Sequence, residues 1–305
     1  MKKILAFAAL IGIAAAGTTW NIRRHDSPLG LTPQEKCALR DAPHDDLSAD
    51  FSDLRQNMKN GARKLTHDLA AEKTARATLS IQGPILNGIF DADVPAGIQG
   101  QMRADMAFID DIQANAASAL HQKIFGPANG RTYMDFFTSR VKEIGLDDCG
   151  GGPGVMACVQ PYTNHSKMWL TPNFVKYDMP QICRAQIVFH ESRHTEKKNS
   201  YWHHATCPDP FKDENDNEVR GKVTGTPMAG LAACDETPYG SYGSSMIMVK
   251  NIQKFCTNCT EKIKMDAGIY ADDTLRRIID PDAHKEICED LYRDAPKTIC
   301  KELPR

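Results

Sequence analysis

The sequence predicts an α+β protein, with a mainly helical N-terminal region followed by a domain that carries a small sheet and one chemically active helix. Three observations lead there. Apolar residues recur at helical spacing early in the chain, as at Leu54, Met58, Leu65 and Leu69. A short strand-like run, KMWLTPNF at residues 167–174, follows a glycine-rich loop. A helix-forming stretch then carries His190-Glu191-Ser192-Arg193-His194.

The elements follow in order. Two lysines precede an apolar run that ends in small residues near Ala16. This is the layout of a secretory signal peptide, so residues 1–16 are expected to be removed and the protein to be secreted or periplasmic. The apolar run is too short for a comfortable transmembrane helix, and no stable membrane association is expected after signal removal. Residues 17–146 are expected to form the helical region, a candidate prosegment or lid. Its helices are expected over residues 48–80, 98–124 and 132–144, separated by Gly83-Pro84 and Gly126-Pro127. Residues 147–305 are expected to form the second domain. There Asp178 is a candidate N-cap and Pro180 a first-turn residue for the helix that carries the histidines. Residues 199–230 read as loop, a helix begins near Ser241, and the tail is helical with a break at Pro281.

Composition narrows the function. The chain has 305 residues and a formal net charge of −2, and loss of Lys2 and Lys3 makes it more negative. No basic field is present to hold a nucleic acid backbone, so no nucleic acid partner is expected. Ten cysteines in an exported chain read as disulfides. Short-range pairings are Cys149 with Cys158, Cys256 with Cys259, and Cys288 with Cys300. Cys207 and Cys234 can bracket the segment between them, leaving Cys37 for Cys183, although spacing alone does not fix connectivity.

The HESRH motif carries the chemistry. Residues four apart share a helix face, so His190 and His194 can reach one ion, while Glu191 can take the proton of a water held there. The preceding Ile187-Val188-Phe189 is strongly apolar, so these polar groups sit against a core and need partners. The pattern points to a Zn2+ site and to hydrolysis of a peptide or protein substrate. A third ligand is required. Ser200 stands where one common pattern places a third histidine; Asp235, Glu236 and His204 are the candidates. Asp235 is the first choice, because a Cys207–Cys234 bridge would hold a short carboxylate stiffly. His203 and His204, a loop pair after Tyr201-Trp202, read more readily as solvated surface.

Residues 168–243 resemble the core of the aspzincins, the deuterolysin and lysine-specific metalloendopeptidase family of the HExxH zincins. The order is alike: a short strand (MWLTPNF), Cys183 on the active helix, HExxH, a loop, then an acidic residue before Tyr239-Gly240. Gly225-Thr226 lies apart from the acidic residue, and Asp235 stands one residue further from Tyr239 than in that family. The resemblance implies a zincin-like catalytic domain and a zinc metalloendopeptidase with Glu191 as base. It also implies Tyr239 or Tyr242 as oxyanion donor and residues 167–174 as the sheet edge along which an extended peptide lies. Two other readings stand beside it. One is a non-catalytic zincin fold that binds a metal or a partner; the other is disulfide exchange through Cys256 and Cys259.

Overall fold

The computed structural model describes residues 86–150, 152, 154–213, 215–294 and 300. The signal segment, Cys37 and the helix expected over 48–80 lie outside the described residues. The chain divides at Ser80, and the unit from Ile81 onward is the one described here. It is an α+β fold with two small sheets among several helices.

The expected second helix is two helices, α1 (Ala96–Asp110) and α2 (Ala119–Ile124). Between them the chain forms single bridges to neighbouring segments, including Gln113 to Asn129 and Ala114 to Cys256. Ser118 begins α2 by accepting the His121 amide. Helix α3 (Gly130–Arg140) starts two residues earlier than expected, capped by Asn129. The chain then extends as β1 (Glu143–Leu146).

Strand β2 (Ala157–Gln160) leads into a one-turn helix, α4 (Pro161–Asn164), and then into β3 (His165–Leu170). The sheet order is β1-β3-β2, with β1 parallel and β2 antiparallel to β3. The expected edge strand is therefore central: β3 has a partner on both sides, and β2 forms the edge. The run also ends early, because Thr171 caps a short helix, α5 (Pro172–Lys176). Proline at a first helical position suits a helix start better than a ladder.

The motif helix α6 (Gln181–Arg193) begins at Pro180 without a side-chain cap, so the Asp178 cap is not formed. One face of α6 packs through Phe189 on an aromatic layer of Phe125, Tyr133, Phe136 and Phe137. Arg184 and the buried Asp105 form a two-point ion pair, Nε–Oδ2 2.7 Å and Nη2–Oδ1 2.8 Å, that locks α6 to α1. A 3-10 segment (Lys197–Trp202) follows, then a two-stranded ribbon, β4 (Ala205–Thr206) with β5 (Ala232–Cys234). Helix α7 (Ser241–Phe255) is buried on nearly every side, as its run SSMIMV requires. Helices α8 (Glu261–Leu275) and α9 (Pro281–Leu291) pack around it, divided by a break before Pro281. One hydrophobic core runs from Leu86 to Tyr292, and residues on both sides of Asp147 share it.

Disulfides join Cys149–Cys158, Cys207–Cys234, Cys256–Cys259 and Cys288–Cys300. Four such bonds fit an oxidising compartment. Buried Cys183 bonds to no cysteine among the described residues, and burial pushes its thiol up to about 12. No helix among the described residues is long and apolar enough to cross a membrane.

The crossing of α1 and α3 tests this packing. The Gly130 amide donates to the Ile112 carbonyl (2.8 Å), and a Cβ at Gly130 would overlap the Asp110 backbone. Backbone cannot swing aside. Gly130→Ala is therefore expected to destabilise the protein by about 1–3 kcal/mol, read as a lower urea midpoint. An unchanged midpoint would contradict this close approach.

Candidate metal centre

Three imidazoles converge. Helix α6 supplies His190 and, at its last turn, His194; the start of the β4–β5 ribbon supplies His204. His194 Nε2 lies 3.3 Å from His190 Nε2 and 3.1 Å from His204 Nε2. Tetrahedral coordination with zinc–nitrogen bonds of ~2.0–2.1 Å places ligand nitrogens about 3.3 Å apart. The His194–His190 spacing equals that value and the His194–His204 spacing is 0.2 Å shorter.

The opposite ring nitrogens explain why these atoms point inward. His194 Nδ1 is 2.8 Å from the Tyr201 carbonyl, which only accepts, so Nδ1 carries the hydrogen and Nε2 a lone pair. His204 Nδ1 lies 3.0 Å from Asp235 Oδ1 and donates to it in the same way. The His190 ring hydrogen-bonds to the Ser241 backbone. The Nε2 atoms of His194 and His204 thus face each other at 3.1 Å, as two ligands of one cation would. Such outer partners fix ring orientation in metal sites. Burial, aided by the neighbouring imidazoles, holds His190 well below its ordinary value and His194 down to about 4. Both rings are therefore neutral, the form that binds metal.

Asp235 occupies a different place from the one expected of it. Its Oδ1 takes the His204 hydrogen, and its Oδ2 accepts the amides of Tyr242 (2.8 Å) and Gly243 (3.1 Å) at the start of α7. Its backbone is pinned by bonds to Arg277 and Ile279. Both carboxylate oxygens are thus engaged behind His204, and the converging set is His190, His194 and His204. Glu236 is exposed and lines a cavity of about 420 Å³ with Trp202, His203 and His204. His203 meets solvent and stacks on Tyr162 (6.2 Å between centroids), whereas His204 beside it turns inward.

The two tyrosines separate. Tyr242 packs its ring on His190 (4.3 Å) and His204 (4.5 Å), and its phenol hydrogen-bonds with Arg277. The Tyr239 hydroxyl instead lies 3.5 Å from Lys123 Nζ, and its carbonyl accepts from Arg193. Arg277 is a residue that sequence reasoning missed. Its guanidinium lies 4.5 Å from the Tyr242 ring centre. Glu191 is buried beside His190, Oε1 3.9 Å from Nε2; burial raises its carboxyl to about 8, against a hydrogen bond with the Val159 backbone of β2.

The donor set of three imidazoles suits a borderline divalent cation. His204→Ala is expected to weaken Zn2+ binding by orders of magnitude in a chelator-competition titration, as are His190→Ala and His194→Ala. Asp235→Ala should cost about 10–100-fold, acting through His204, and Glu236→Ala should leave affinity unchanged. A Glu236→Ala loss as large as that of His204→Ala would replace this ligand set. Gly240→Ala offers a second route to the same point: its Cβ would stand 2.7 Å from Asp235 Cγ, so it should weaken Zn2+ binding without touching a ligand. Family profiles, characterised proteins and solved structures were all compared with the chain, and none matches it.

Proposed function

We propose that the protein is an exported zinc-dependent metalloendopeptidase of the zincin type. In this reading His190, His194 and His204 hold the metal, and Glu191 is the general base. The observation that carries it is the convergence of three imidazoles whose ligand atoms lie within 4.8 Å of one another, with a buried carboxylate one residue from the first of them. A site serving only stability has no need of that carboxylate. The four disulfides support export.

A divalent cation bound there supplies Lewis acidity, drawing electron density from a carbonyl oxygen and from a water so that the water attacks near neutral pH. The chain does the rest. Glu191 accepts the attacking water's proton and returns it to the leaving amine. Strand β2 ends the sheet beside α6, and in this reading an extended peptide pairs with its outer edge as a fourth strand. The Val159 backbone hydrogen bond to Glu191 brings this edge and the base together. In this reading Tyr242, whose ring packs on His190 and His204 and whose phenol hydrogen-bonds with Arg277, is the oxyanion donor. The Tyr239 hydroxyl turns toward Lys123 instead.

Glu191→Gln should keep the metal and lose about 10²–10⁴-fold in peptide cleavage, because an amide cannot take the proton. A chelator should abolish cleavage by the wild type, and added Zn2+ should restore it. A broad peptide-library digest with and without chelator reads both. Cleavage by Glu191→Gln at the wild-type rate would remove Glu191 from its role. A metal-loaded wild type that cleaves nothing in the library would favour a binding protein built on the same site.

A further inference from the structure

The segment between His194 and His204 passes through three consecutive left-handed residues: Ser200 (φ 51°), Tyr201 (φ 58°) and Trp202 (φ 49°). None is glycine, so each carries the Cβ clash that L-residues avoid. Such a run persists only where its surroundings over-determine it. Here the surroundings centre on one carboxylate. Glu196 Oε1 accepts from Arg140 Nε (2.8 Å) and Nη2 (2.7 Å) and from Arg193 Nη1 (2.7 Å). Its Oε2 accepts from Asn199 Nδ2 (2.8 Å) and Trp202 Nε1 (2.8 Å), and its backbone carbonyl accepts the amides of Asn199 and Tyr201.

Two of these donors, the Tyr201 amide and the Trp202 indole, belong to the left-handed residues themselves. The other side of the hub is rigid. Arg140 comes from α3 and Arg193 from α6, and Arg193 also donates to the Tyr239 carbonyl ahead of α7. What the turn delivers is the metal centre. The Tyr201 carbonyl receives the His194 Nδ1 hydrogen, and His204 follows two residues after Trp202.

We propose that Glu196 is the positioning residue of the metal centre: its carboxylate holds residues 200–202 in the left-handed turn and thereby presents the Tyr201 carbonyl to His194 and His204 to the cation. Glu196 has this role only if the three histidines hold a metal. It touches none of the converging nitrogens and acts through the turn.

The test measures Zn2+ affinity by chelator competition for the wild type, Glu196→Ala, His204→Ala and the double variant, with folding followed by circular dichroism. Glu196→Ala should bind about tenfold more weakly than wild type. In the His204→Ala background it should cost clearly less, because one of the two ligands it positions is already gone. Ser200→Gly added to Glu196→Ala should recover most of the loss, since glycine takes a positive φ without the clash. A merely structural Glu196 would instead be worsened by a second flexible substitution. If Glu196→Ala fails to fold, Trp202→Phe removes a single donor to Oε2 and should show a smaller loss with the same non-additivity. Wild-type binding that depends on His204, combined with a Glu196→Ala effect that is absent, additive or not recovered by Ser200→Gly, overturns the proposal and leaves the histidine site standing. Wild-type affinity no better than that of His190→Ala removes the site itself, and the proposal with it.

Discussion

The carboxylate of Asp235 is the constraint on which the candidate metal centre depends. One oxygen orients His204, and the other closes the N-terminus of α7, where unpaired amides and the helix dipole favour an anion. The same group thus joins the ribbon that carries His204 to the most buried helix of the molecule. Gly240 has to lack a side chain for this to happen, because a Cβ there would overlap the carboxylate. Ser241, the first residue of α7, in turn bonds to the ring of His190 through its backbone. The start of one helix therefore organises two of the three imidazoles.

The third is organised by strain that its neighbours offset. Left-handed residues between His194 and His204 shorten the path that the chain needs to return to the site. Elsewhere the site is rigid. Helix α6 is clamped between an aromatic layer and β2, and α1 is locked to it through Arg184 and Asp105. Metal sites need ligands held to within a few tenths of an ångström, and packed helices supply that better than loops do. The one imidazole carried outside a helix, His204, is held through Asp235.

The helices and the HESRH pair were legible because they are local. Periodicity, prolines and caps mark α6, α7, α8 and α9 closely, and the four short-range cysteine pairings form as spacing suggests. The break between α1 and α2 was not legible, because residues 111–118 are set by bridges to segments distant in sequence. The strand expected at the edge lies at the centre for a related reason: which strands flank β3 is a matter of long-range pairing, and its own residues do not encode it.

The sequence by itself determined that two histidines and a glutamate share one buried helix, since a spacing of four residues and an apolar lead-in suffice for that. Only the tertiary structure decided what completes the set. Along the chain Asp235 was the first choice ahead of Glu236 and His204, because ligand identity depends on where the side chains meet and sequence does not show that. The Cys207–Cys234 bond and the ribbon bring His204 and Asp235 together, and hydrogen-bond geometry then separates their places: the imidazole turns its free nitrogen to the site, and the carboxylate stands behind it. The Cys207–Cys234 pairing already offered by the sequence brings both residues to the same place. Which of them faces inward depends on α7, whose N-terminal amides claim the carboxylate, and that competition exists only in the folded chain.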